Sequence, residues 1–375
     1  MDQEKDGEEE ERREGNYKEI TLYVIRNNNK YTTKGYKNFM ISPHTLELRL
    51  EVDKEAFHER RNKVRDKKNY NTESDKDFSY IEKGMTVWYH NTQYRKWIKL
   101  HINPSKLLGL DDLITLWEPS KKNIKHVIHE LEKFVDEYFD SEYVLNDFLL
   151  SRIDFTKNIR LDNREVVLAY INLLHNIKKV KGFSPKYGKM DTWYDEDLGF
   201  DLKGISNGID FTAYDKEAAI KLNMQNMSLK QKELKERVEK AKGVLRIEVK
   251  LTSQKAIRNY TDEKDTAKRL TRLSKNSEKI FMDTMLRVVP FGDVYKKNQS
   301  VKIIEDSVDD RKLKTKMLRL LELVPKKKSL HLAIKELNDR HISRILSEYH
   351  SINLSPVTIS KRQKVKKLIS LYSFF

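Results

Sequence analysis

Gly208-Ile209-Asp210-Phe211-Thr212-Ala213-Tyr214-Asp215-Lys216 decides the fold. Apolar and polar residues alternate along it with period 2, so a strand here buries Ile209, Phe211 and Ala213 and presents Tyr214 and Lys216 on its other side. Ser206-Asn207-Gly208 turns the chain into it, because Asn-Gly tolerates the positive backbone angles of a hairpin. Arg152-Ile153-Asp154-Phe155-Thr156 and Leu245-Arg246-Ile247-Glu248-Val249-Lys250-Leu251 alternate in the same way, each with a carboxylate on its polar side. In a shared sheet, Tyr214, Asp154 and Glu248 converge on one surface.

Further strands are expected at Ile20–Ile25, Met85–Tyr89 and Trp97–Ile102, the last stopped by Asn103-Pro104. Residues 53–78 read as a polar insertion or a solvated helix and loop. Ile124, Val127, Ile128, Leu131, Phe134, Val135 and Tyr138 form a helical stripe, and Asp162 or Asn163 caps a second helix. Ser228 with Gln231 makes a capping box for a charged helix that Gly243 ends. From 97 to 251 the order is β, α, β, α, β, β, α, β. This predicts an α+β fold, a largely antiparallel sheet with helices packed on one face. The chain divides into an acidic disordered tail (1–16), a β-rich N-terminal part of the core (17–110), an α+β catalytic core (111–260) and a basic helical C-terminal region (261–375). In the last, Arg344–His350, a turn at Asn353–Pro356 and a basic segment with Lys361, Arg362, Lys364, Lys366 and Lys367 read as a helix-turn-helix or as an ordinary solvated basic helix.

The 375 residues contain no cysteine, which excludes disulfides, thiolate nucleophiles and Cys-based zinc sites. No apolar run is long enough for a membrane span, so a cytoplasmic protein without a membrane partner is expected. The net charge is +16. Residues 1–14 carry eight acids against three basic residues, a net of −5, so the remainder carries +21. That excess favours a polyanionic partner through counterion release, although a lysine-rich surface kept for solubility gives the same sum.

Tyr214 beside two carboxylates suggests a hydroxyl that attacks a phosphodiester, with Asp154 and Glu248 as hard oxygen ligands for Mg2+ or Mn2+. A phenol ordinarily near pKa 10 needs a cation nearby to act at neutral pH, and Lys216 is placed for that role. Arg152 and Arg246, beside the carboxylates, are candidates for contacting the DNA phosphate, with Lys361 and Arg362 as basic groups outside the sheet. His101, on the polar side of its strand, is the best histidine for a third metal ligand. Each residue also has an ordinary reading: a half-buried sheet tyrosine, cross-strand ion pairs, a surface histidine. His126-Val127-Ile128-His129-Glu130 has the wrong order for a zinc helix and fits an amphipathic one. Asp195, Glu196 and Asp197 with Tyr194 read as a loop or as a further acid near the site.

Ser151-Arg152-Ile153-Asp154, Ala213-Tyr214-Asp215-Lys216 and Leu245-Arg246-Ile247-Glu248, with Asn103-Pro104-Ser105-Lys106-Leu107-Leu108 before them, resemble the gene II family of filamentous phage replication initiators and related plasmid rolling-circle initiators. The resemblance spans roughly residues 95–260. It implies a metal-dependent, site-specific single-strand DNA endonuclease and ligase working on origin DNA in a bacterial host. Tyr214 would be the nucleophile, forming a 5′-phosphotyrosine and freeing a 3′-hydroxyl for host polymerase, with a host helicase as a further expected partner. Many such nucleases hold metal with a His-x-His pair, which this chain lacks. Two other function classes fit the same residues: a non-catalytic basic DNA- or RNA-binding regulator, and a relaxase or transposase of the same chemistry.

Overall fold

In the computed structural model, residues 40–68, 78–82, 85–110, 114–177, 180–186, 198–223 and 231–375 are described. The acidic tail, the strand expected at Ile20–Ile25, the Tyr194–Asp197 cluster and the Ser228 cap lie outside them.

Nine strands form one sheet: β1 (Ser42–Val52), β2 (Phe78–Glu82), β3 (Met85–Asn91), β4 (Lys96–Ile102), β5 (Leu149–Arg160), β6 (Phe183–Pro185), β7 (Gly199–Gly204), β8 (Ile209–Asp215) and β9 (Val244–Leu251). Their order is β2-β3-β4-β1-β5-β9-β8-β7-β6, and every neighbouring pair is antiparallel. The expected α+β architecture is therefore present, and residues 42–102 and 149–251 supply two halves of one sheet. The second half is threaded out of order, since β9 inserts between β5 and β8.

Alternation explains which face is covered. Leu46, Leu48 and Leu50 of β1, Ile98, Leu100 and Ile102 of β4, Ile153 and Phe155 of β5, and Leu245, Ile247, Val249 and Leu251 of β9 are all buried and belong to one hydrophobic core. Helices Lys121–Tyr138, Arg164–Ile177, Thr266–Lys275 and Ser277–Val288 contribute their apolar stripes to that core. Asn163 accepts from the Val166 backbone N–H at 3.1 Å, the cap expected for the second of these helices. β1 was not among the expected strands, although Leu46-Glu47-Leu48-Arg49-Leu50 alternates as cleanly as any other segment.

The hairpin before β8 needs its glycine. Gly208 has φ +64°, and a Cβ there would meet the Ser253 side chain at 2.0 Å. Lys216 does not continue the strand as expected: β8 ends at Asp215, whose carboxylate accepts from the Glu217 and Ala218 N–H groups, and a helix runs from Lys216 to Asn223.

The C-terminal region is helical through Lys297–Ser307, Arg311–Lys327, Leu330–Leu337 and Ile342–Ser351. The second helix of the expected helix-turn-helix does not form. Asn353 takes φ +48°, Pro356 breaks the run, and the β-branched Val357, Thr358 and Ile359 suit extended backbone. Leu354 and Ile359 instead bridge to Asp293 and Lys296, and β11 (Lys367–Leu368) pairs with β10 (Val294–Tyr295). Lys361 and Arg362 sit in an exposed turn. The region joins the helical layer: Tyr170 donates to the Ile369 carbonyl at 2.7 Å and Tyr372 to that of Val289 at 2.6 Å.

Phe155 is fully buried in the middle of the sheet. Phe155→Ala is expected to lower stability by about 3–5 kcal/mol, read as a shift of the urea midpoint at unchanged slope.

Candidate active site

Cross-strand register assembles the site. On the polar face of β5, β9 and β8, Arg246 pairs with Asn158 and Tyr214, Glu248 with Thr156 and Thr212, and Lys250 with Asp154 and Asp210. The three carriers expected from sequence thus share one surface, but their partners differ from those expected.

The Tyr214 hydroxyl donates to Glu248 Oε1 at 2.8 Å. Lys250 Nζ lies 3.2 Å from Glu248 Oε2, so the phenol and the ammonium occupy the two carboxylate oxygens. Lys216, at the start of the next helix, places Nζ 6.0 Å from the centre of the Tyr214 ring. Arg246 donates to Asn158 Oδ1 at 2.8 Å, and its Nη1 lies 3.2 Å from His44 Nε2. The Ile114 carbonyl accepts from Asn158 Nδ2 at 2.6 Å, tying the segment after Leu110 to this end of the sheet. Tyr214 is only 3% exposed, with Ala219 of the following helix against it.

Asp154 is held by the neighbouring arginine: Arg152 Nε and Nη2 reach its two oxygens at 2.7 and 2.6 Å. Arg152 also donates to Glu47 Oε1 at 3.3 Å, and His101 Nδ1 lies 3.3 Å from the same oxygen. His101 is therefore on the expected face but bound to β1, with β1 and β5 between it and Glu248.

Burial and charge set the protonation states. Burial alone would raise the Glu248 carboxyl, yet Lys250, His44 and Arg246 hold it down at about 2. The balance at Asp154 goes the other way, burial outweighing Arg152 and raising it. Burial, with Glu248 adding to it, pushes the Tyr214 phenol well above its ordinary value. Burial and Arg246 push Lys216 well below its own. His44 falls to about 3 through burial and Arg246, so its imidazole is neutral.

His44 was not anticipated. The β1–β5 register shifts between Pro43 and Thr45, which places His44 in a bulge; such bulges commonly re-aim a side chain beside a site. Glu47, Asn158 and Lys250 were likewise missed as partners. Glu47 and His44 lie on β1, which was not expected as a strand, whereas Asn158 and Lys250 lie two residues beyond Thr156 and Glu248 on strands that were.

The chemistry of Asp154 and Glu248 suits a hard divalent ion, but their oxygens are occupied by Arg152, Lys250 and Tyr214. Among the described residues no three His, Asp or Glu side chains gather closely enough to hold a metal ion. The expected set of Asp154, Glu248 and His101 is thus not drawn together, and these side chains work here as acceptors for cations and a phenol.

With this geometry in view, comparison with known families is informative. The phage family described as replication-associated gene-2 protein, N-terminal, matches residues 43–269. The chain belongs to that family. It is accordingly a replication initiation protein of the phage type that acts on origin DNA. The match begins beside His44, covers all but the first residue of the sheet and ends in the helix Thr266–Lys275, leaving the remaining C-terminal helices outside it. No curated protein matches the chain. No helix among the described residues is long and apolar enough to cross a membrane.

The pKa shifts give stability a direction with pH. Glu47 and Glu248 bind protons near 2 when folded, against an ordinary 4.5, and His44 near 3 against 6.5. Below about 6.5 the unfolded chain takes up protons that the folded chain refuses, so stability falls as pH falls. Asp154, whose carboxyl is raised, acts in the opposite sense and offsets part of the acid loss. Melting temperature should drop between pH 7 and 4, and His44→Gln should flatten the portion above about 4.5; an unchanged profile would contradict the assignment of His44.

Proposed function

We propose that the protein nicks one strand of origin DNA through Tyr214 and reseals it through a covalent phosphotyrosine. The observation that carries this reading is the Tyr214 hydroxyl donating to Glu248 amid Lys216, Arg246 and Lys250. In the nicking step the phenolic oxygen bonds to phosphorus, its proton passes to Glu248, and the bond from phosphorus to the 3′-oxygen breaks. The leaving oxygen takes a proton to become the 3′-hydroxyl that primes synthesis. The phosphotyrosine keeps the ester's energy, so reversal of the step by a 3′-hydroxyl reseals a strand without a nucleotide cofactor.

The resting site is poorly set for attack, and the reason is electrostatic. The phenol holds its proton tightly, while Glu248 is a weak base because cations surround it. A phosphodiester that draws Arg246, Lys216 and Lys250 towards itself relieves Glu248 of that positive field, raising its basicity as the developing charge on phosphorus is neutralised. Substrate binding therefore arms the nucleophile. It must also uncover it, since the phenol lies beneath Ala219.

A divalent ion is not needed to write these steps, and none is routed through one. Mg2+ or Mn2+ remains part of the proposal inherited from the resemblance, with Asp154 and Glu248 as the carboxylates that would hold it after their cations are displaced. Host polymerase and helicase are proposed partners on the same footing. The burial of the phenol favours a second reading, in which Tyr214 is structural and the sheet binds nucleic acid without cutting it.

The deciding test is a denaturing gel of protein incubated with single-stranded or supercoiled DNA of its own replicon, with magnesium, manganese or a chelator. Wild type should yield a protein-linked strand and Tyr214→Phe none, with Glu248→Gln slowed by about 10²–10⁴-fold. Binding without cleavage by wild type under every condition would make the second reading the better one.

A further inference from the structure

The polar face that carries Tyr214 continues across β5, β1 and β4 to β3, and its far end has a different character. Trp88 and His90 alternate on β3 and point to this face, as do Trp97, Lys99 and His101 on β4; Trp88 pairs with Lys99 and His90 with Trp97. The Trp88 and His90 rings lie nearly parallel, centres 6.1 Å apart at 12°, and the Trp97 ring follows at 5.5 Å from His90. Lys99 Nζ sits 5.8 Å from the centre of the Trp88 ring and Arg49 Cζ 5.6 Å from that of Trp97.

Core formation does not account for this arrangement. The apolar face of the same strands is already filled by Met85, Val87, Tyr89, Ile98 and Leu100, all buried. Trp88 keeps 36% of its surface exposed, among the highest values for a large apolar residue in the sheet. An indole left open beside a lysine, in a row of rings flanked by cations, matches what an unpaired base requires: a flat π surface to stack on and a positive charge for its phosphate.

The position matters as much as the composition. Glu47 links the two ends, contacting Lys99 and His101 on one side and Arg152 on the other, and Arg152 leads through Asp154 towards Lys250 and Glu248. Five interstrand steps separate β3 from β8, or about 24 Å at ~4.8 Å each. That is room for several nucleotides between a stacked base and a phosphate at Tyr214. Arg49, Lys99 and Arg152 are partly exposed along the outer half of this path.

We infer that Trp88, His90 and Trp97 form a base-stacking platform that holds the single-stranded DNA flanking the phosphate attacked at Tyr214. The inference deepens the proposed function and rests on it for the identity of the strand held. Stacking is tolerant of sequence, so the platform supplies affinity and direction, leaving choice of origin to other contacts.

The test is equilibrium binding of oligothymidylate to the full chain, followed by tryptophan emission and by anisotropy of a labelled strand, without metal so that no cleavage enters. Oligothymidylate should quench the emission. Trp88→Ala and Trp97→Ala should each weaken binding about tenfold and remove part of the quench, while Trp88→Phe and Trp97→Phe, which keep a ring and the hairpin, restore most of the affinity. Unchanged binding by the alanine variants, at an unchanged melting temperature, would overturn the platform. So would equal weakening by the phenylalanine and alanine variants, which would mark a purely structural role. Tyr214→Phe should bind as wild type does; stacking without any covalent product would retain the platform and reject the nucleophile.

Discussion

A carboxylate buried in the middle of a sheet is the constraint on which the rest of this structure depends. Glu248 is almost entirely removed from water yet ionised, and an ion in such a place is tolerable only when partners replace its hydration. Tyr214 and Lys250 take its two oxygens, Arg246 lies beside it, and Arg246 is in turn held by Asn158 and His44. Removing any one of these leaves another charged or polar group without its counterpart. The network is consequently stiff, and the same compensation that lets Glu248 remain charged makes it a weak base until another anion competes for its cations.

Asp154 shows a second solution to the same problem. Its arginine is two residues away on the same strand and grips both oxygens, so the pair is nearly self-contained and links to the network mainly through Glu47. Two carboxylates that look equivalent in sequence thus meet different electrostatic fates, one pushed down and one pushed up. Spacing along a strand does not reveal this, because the outcome depends on which cations the neighbouring strands bring.

Much of the architecture was legible because alternation is a local signal. β3, β4, β5, β8 and β9 announce themselves through period 2, and cross-strand convergence of Tyr214, Asp154 and Glu248 follows from placing the last three in one sheet. β1 was equally legible in Leu46-Glu47-Leu48-Arg49-Leu50 but was not expected, and with it went Glu47 and His44. His44 is harder, since a bulge is a property of pairing between two strands and leaves no mark on either alone. Lys216 was assigned to a strand although Asp215-Lys216-Glu217-Ala218-Ala219 has the chemistry of a helix start. The basic C-terminal run was read as a helix by charge, whereas Asn353, Pro356 and the β-branched residues after them decide its backbone.

The insertion of β9 between β5 and β8 has a consequence for synthesis. This strand is the last of the sheet to leave the ribosome, yet it occupies a central position and carries Arg246, Glu248 and Lys250. Until residue 251 has emerged, β5 and β8 each present an unpaired edge, and Tyr214 has no acceptor for its proton. Nascent chains paused or cut before that point would be prone to edge-to-edge association. The nucleophile and the group that receives its proton therefore come together only in a chain whose sheet has closed.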